Sequence, residues 1–185
     1  VKQAGLNPII VDVRCFSLRN ALDLIRDQKE IQQNKPVALL ELGSEENYLL
    51  IMGSETPHIT DVFINTQDKQ NLDSKKEQNV QVIVDRYSMQ VKQAFAAYES
   101  KYKTDPVKEL YIVSSIQSIE NFVIALQKKL GKLSIQIFNP LSKITIPENL
   151  KKKVQAEINP SVFTTVIGLA TRKLDVFGYY KFVTG

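Results

Sequence analysis

Two short stretches carry residue types that could do chemistry. The first is Glu41-Leu42-Gly43-Ser44-Glu45-Glu46-Asn47, the end of one apolar run, a turn with glycine and the start of the next run. A turn that glycine permits can aim several backbone N–H groups at one anion such as a phosphate. The second is Val113-Ser114-Ser115-Ile116-Gln117-Ser118, a strand end entering a helix, where backbone N–H groups of the first turn have no intrahelical partner. Acid–base and metal chemistry have little material, because there is one cysteine, Cys15, and one histidine, His58. That excludes an internal disulfide framework, a cysteine zinc cluster and any dyad that needs two histidines. A Ser-His-Asp triad would rest on His58 alone, and no nucleophile turn surrounds it. His58 follows Pro57 and is expected in an exposed loop; Cys15 is expected as a small core or boundary residue. Read in isolation, Glu41 and Gly43 are a strand end and a hairpin turn.

The elements that would position these stretches can be read from hydrophobic periodicity. Pro8 to Val13 suits a buried strand, and Ser17 stands before Leu18, Ala21, Leu22 and Ile25 at helical spacing. A polar stretch from Asp27 to Lys35 reads as a helix end and linker, with Pro36 marking a restart. Val37 to Leu42, Asn47 to Met52 and Ile59 to Asn65 then predict a three-strand antiparallel meander. Thr66 to Asn79 is polar and is expected to be an exposed loop. Val80, Ile83, Val84, Tyr87, Val91, Ala94, Phe95 and Tyr98 form one stripe of a long core helix. A strand over Leu110 to Val113 follows, then a helix carrying Ile119, Phe122, Val123, Leu126 and Leu130 and closed at Gly131. Ser134 to Phe138 predicts a strand, and Pro147 opens a lysine-rich helix. Asn159-Pro160 caps a last helix whose apolar stripe is Phe163, Val166, Ile167, Ala170 and Leu174. The pattern predicts an α/β fold, a mixed sheet with helices packed on it.

Composition narrows the classes. The 185 residues are 43% hydrophobic and 24% charged, an ordinary globular mixture able to bury a core without staples. No apolar run approaches a membrane span, and no signal-peptide pattern is present. Lys and Arg number 24 against 20 Asp and Glu, a net charge of +4. The basic residues are scattered apart from Lys75-Lys76, Lys128-Lys129 with Lys132, and Lys151-Lys152-Lys153. Such runs read as solvated helix ends or faces, and no aromatic interleaving points to nucleic acid. The chain opens at Val1 without an initiator Met and is expected to be a piece of a longer protein. Phe177, Tyr179, Tyr180 and Phe182 form an aromatic tail expected to pack back on the domain.

The order and spacing of these pieces resemble the type IV pilus assembly protein PilM family, whose relatives include MshI and the cytoplasmic part of GspL, within the actin-like ATPase superfamily. Ala4-Gly5-Leu6, Val11-Asp12-Val13, Phe16, Leu18 and Ala21 resemble the end of that family's first subdomain. Val37 to Gly43 resembles the strand and phosphate hairpin that open its second half. Leu110 to Leu130 resembles the adenosine-loop strand and helix, and Leu133 to Pro140 the strand ending in Asn-Pro. Ile167-Gly168-Leu169-Ala170 with Arg172 and Leu174-Asp175 resembles the terminal helix. The resemblance implies an actin-like (ribonuclease H-like) half. Residues 1–35 would be the remnant of a first subdomain and linker, 36–176 the second subdomain with a reduced insertion, and 177–185 the tail.

Departures from the family pattern shape the functional expectation. In the family, an Asp in the hairpin organises Mg²⁺ beneath the phosphates, and a Gly-Gly pair lets the purine lie against bare backbone. Here Glu41 stands in place of that Asp, and Glu45 and Glu46 replace small hydroxyl residues. Carboxylates beside a triphosphate repel it by roughly a few kcal/mol each at a dielectric of about 20. Ser114-Ser115 replaces Gly-Gly. Glu41, Gly43, Ser44 and Glu45 are therefore expected to be a vestigial phosphate loop, and Ser114 and Ser115 a vestigial adenosine loop. No cofactor, metal or catalytic residue is expected, so the chain is expected not to be an enzyme. What the resemblance implies instead is a cytoplasmic adaptor, peripheral to the bacterial inner membrane, that holds a PilN-like platform protein with help from Pro8 to Ile25. It implies no nucleic-acid partner and only indirect membrane contact. The alternatives are an ATP-binding protein that uses Mg²⁺ and nucleotide as a switch, and a GspL-like scaffold of a secretion machine.

Overall fold

The computed structural model describes residues 13–26, 35–43, 47–53, 57–73, 77–116, 119–155 and 159–171. Helix α1 (Arg14–Ile25) precedes strands β1 (Val37–Leu42), β2 (Asn47–Met52) and β3 (His58–Asp61). Helices α2 (Thr66–Asp73) and α3 (Glu77–Tyr102) lead to β4 (Glu109–Ser114), α4 (Glu120–Leu130) and β5 (Ser134–Ile137). Helix α5 (Glu148–Gln155), a 3₁₀ turn (Pro160–Phe163) and α6 (Thr164–Ala170) complete the described chain.

The strands form one sheet in the order β3-β2-β1-β4-β5. The β3-β2-β1 meander is antiparallel, and β4 and β5 run parallel to β1. Every residue of β1 is buried, as expected of a central strand covered on both faces. Alternation along it sorts the side chains. Ala38, Leu40 and Leu42 join Leu49, Ile51, Leu110 and Ile112 beneath α3 and α4. Val37 and Leu39 join Leu50, Met52 and Val113 beneath α1. The same alternation places Glu41 on the α1 face.

Helix α3 lays Val80, Ile83, Val84, Tyr87, Val91, Ala94 and Tyr98 onto the sheet as its stripe predicts. It meets α4 through Tyr87 and Phe122, edge to face at 5.6 Å, a favoured aromatic geometry. Gly131 closes α4 at φ 62°, the left-handed region that favours glycine.

Four expectations are corrected. Thr66 to Asp73, expected as loop, is helix α2. The Asn65 side chain accepts the Asp68 N–H at 2.7 Å as an N-cap, Leu72 is buried, and Asp68 pairs with Arg86 of α3 at 2.5 Å. One apolar residue and one sheltered ion pair anchor a helix too polar for periodicity to reveal. Helix α1 begins at Arg14, so Ser17 is not its cap but bonds back to the Arg14 carbonyl at 2.7 Å. His58 is not in a loop; it begins β3, half-buried beside the rings of Tyr98 and Tyr102 at 5.9 and 6.0 Å. Finally, α6 buries Thr164 and Gly168 and leaves Val166 and Leu169 exposed. Gly168 lies so close to the Ser17 carbonyl that a Cβ would clash with it. Small residues therefore face α1, while Val166 and Ala170 of the expected stripe turn outward and Phe163 and Ile167 are half-buried. The strand expected over Pro8 to Val13 lies outside the described residues except for Val13. So do Leu174 and the aromatic tail.

Candidate functional site

The β1 and β4 ends come together at one edge of the sheet. Parallel register sets Glu41 beside Val113 and Leu42 beside Ser114. The Leu42 carbonyl accepts the Ser114 hydroxyl at 3.2 Å and the Ser115 N–H at 3.4 Å. Gly43 and the Ser114-Ser115 turn are thus neighbours, as two halves of one site must be. Ser44, Glu45 and Glu46 lie outside the described residues.

Glu41 is 1% exposed. Its carboxylate oxygen Oε1 receives Arg14 Nη2 at 2.5 Å and Arg14 Nε at 2.8 Å, a charge-assisted contact from the first turn of α1. A carboxylate buried this deeply is stable as a charge only with such a partner. Tyr48 stands on the neighbouring strand directly across from Glu41. Burial pushes its phenol up, and the nearby Glu41 charge pushes it further. The Tyr48 phenol is therefore held neutral beside the Arg14–Glu41 ion pair. Arg14 was absent from the sequence-based site. Its signal was indirect: a carboxylate on the inward side of a fully buried strand requires a cation from elsewhere.

At the end of β4 a second network forms around Ser114, which is 2% exposed, while Ser115 is exposed. Ser114 N–H donates to the Ser161 hydroxyl at 3.0 Å, and the Ser114 hydroxyl accepts the Ile116 N–H at 3.0 Å. Asn159 donates through Nδ2 to the carbonyls of Ser114 and Ile116 at 2.9 and 3.0 Å. Its Oδ1 accepts the Ser161 N–H at 3.1 Å and the Ser161 hydroxyl at 2.7 Å. Asn159 thus caps the 3₁₀ turn and ties that turn to the strand end. Buried polar groups this fully paired rigidify their surroundings.

On the α1 face an open groove of about 810 Å³ runs beside the Arg14–Glu41 pair. Val13, Arg14, Asn47, Tyr48, Ile59 and Phe63 line it, and Val13, Ile59 and Phe63 are exposed apolar side chains. Among the described residues no group of three or more His, Cys, Asp or Glu side chains could hold a metal ion. Among them, too, no helix is long and apolar enough to cross a membrane.

No model of a known protein family matches this chain, and no curated protein does. Among solved structures, a chain of a PilM-PilN type IV pilus biogenesis complex is similar, with a TM-score of 0.60 at 11% identity. The match covers 90% of this chain and 55% of that one, so this chain spans about half its neighbour's length. Similarity at this level establishes the fold, a mixed α/β arrangement of the actin-like type.

Proposed function

We propose that this chain is a non-catalytic adaptor in the assembly of a type IV pilus or a related secretion platform. In this reading it works at the cytoplasmic side of the inner membrane and holds a PilN-like partner. The observation that carries the reading is the Arg14–Glu41 pair. The only carboxylate described at the hairpin already has a guanidinium 2.5 Å away inside the fold, where a Mg²⁺-bound nucleotide would need it available. The network of Ser114, Asn159 and Ser161 likewise engages the backbone groups at the end of β4. These residues do not fit a magnesium nucleotide, and no step of catalysis is assigned to them. The actin-like fold shared with a chain of a PilM-PilN complex supports the choice of machinery.

An adaptor needs an apolar surface and a few hydrogen bonds rather than a reactive group. The outward side chains of α1 and its approach, Val13 and Phe16, together with the groove beside them, are the surface assigned to the partner. The test is co-purification of the chain with the cytoplasmic segment of a PilN-like protein. Retention that Phe16→Asp abolishes is expected; absence of retention by the longest version of the protein that folds would contradict the adaptor reading. A second reading, nucleotide binding as a switch, draws support from the adjacency of Gly43 and Ser115 at one sheet edge.

A further inference from the structure

We propose that α5 is a contact for an anionic lipid bilayer, a site separate from the strand-end cluster and independent of the adaptor reading. Among the described residues helix α5 makes at most marginal contact with the other helices and strands, and residues 148–153 are exposed. Lysines 151, 152 and 153 outnumber Glu148, which pairs with Lys151, and Lys143 is exposed in the preceding turn. Residues four apart share a helix face, so exposed Leu150 and half-buried Val154 form one apolar ridge. At about 100° per residue, Lys151 and Lys153 fall on opposite flanks of that ridge. Leu150 is 42% exposed.

A ridge flanked by lysines is shaped for the boundary between headgroups and acyl chains. There Leu150 enters the apolar layer while the stems of Lys151 and Lys153 lie along it and their ammonium groups reach phosphates. Charge complementarity selects an acidic surface. The ridge selects lipid, since a nucleic-acid backbone would bind the lysines and leave Leu150 in water. Two turns of helix give weak binding, suited to holding an orientation on a surface rather than to anchoring alone.

The experiment is co-sedimentation of the whole chain with phosphatidylcholine vesicles, with and without phosphatidylglycerol. Binding is expected only with phosphatidylglycerol and is expected to vanish near about 1 M salt, where screening acts within about 3 Å. Replacing Lys151 and Lys153 together by Ala is expected to lower the partition coefficient by about twenty-five-fold, at about fivefold per flanking lysine, whereas Lys152→Ala, on the far face of the helix, is expected to change it least. The melting temperature should not change, because α5 is peripheral. Leu150→Ser is expected to weaken binding while leaving its salt dependence intact. Failure to bind acidic vesicles would overturn the proposal. So would equal binding to soluble polyglutamate that Leu150→Ser leaves unchanged, which would instead identify an acidic protein surface.

Discussion

On one face of the sheet, α3 and α4 pack through Tyr87, Phe122 and a wide set of aliphatic side chains. On the other, α1 meets α6 at Gly168, and Arg14 and Glu41 place a charge pair against the strand end. The first face is held by apolar area, which tolerates volume-conserving change. The second also buries an apolar set beneath α1, Leu18, Leu22, Leu39 and Leu50 among it, and adds close approach and paired polar atoms, where one altered atom leaves a buried group unsatisfied. The difference teaches that both faces of the sheet carry apolar core while only the α1 face carries the buried charge pair.

The sharpest way to break this division is to remove mass from the first face. Phe122→Ala should cost about 3–5 kcal/mol, the usual cost of an aromatic core truncation, read as a fall in denaturation midpoint. The second face should respond to charge as well. Arg14→Ala should cost about 2–3 kcal/mol, below the full value for a buried pair because Arg14 is partly exposed. Arg14→Met combined with Glu41→Leu should recover most of that loss, as chemical denaturation would reveal. If the double variant is no better than Arg14→Ala alone, the pair is not the organising contact. Gly168→Ala is expected to cost about 1–3 kcal/mol by forcing α1 and α6 apart, again read by denaturation.

The two faces were unequally legible in the sequence. The α3 stripe and the β1–β2 hairpin were plain because their apolar residues recur at one period. The Gly131 and Asn159 caps were legible too, since local chemistry selects those residues. What sequence could not give were contacts between distant positions. Arg14 and Glu41 are 27 residues apart and Asn159 and Ser114 are 45 apart, and no periodicity links them. For α6 the periodic reading pointed the apolar stripe inward. The approach of Gly168 to Ser17 decides otherwise, because only the residue without a side chain can occupy the contact. Helix α2 was hidden because an ion pair, Asp68 with Arg86, supplies what apolar spacing normally does.

Another effect spans both faces and appears in alkali. Tyr48 and Tyr87 lie on opposite faces, and burial raises the phenol pKa of each, as it does for Tyr98. Their folded values exceed the unfolded value of about 10. Stability is therefore complete below about pH 10 and falls above it, as the unfolded chain ionises before the folded chain does. Tyr48 and Tyr87 should each contribute a slope of about 1.4 kcal/mol per pH unit. Tyr48→Phe should reduce the combined slope without touching the α3–α4 contribution, as denaturation midpoints measured across pH 9 to 12 would test.

The central claim concerns the occupied carboxylate at the end of β1. The most direct measurement is the melting temperature of the chain with and without millimolar Mg·ATP, since a ligand specific to the folded state must raise it. No shift is expected for the chain. A clear rise that Gly43→Val removes would mean that nucleotide displaces Arg14 from Glu41, and the adaptor account would give way to a nucleotide switch.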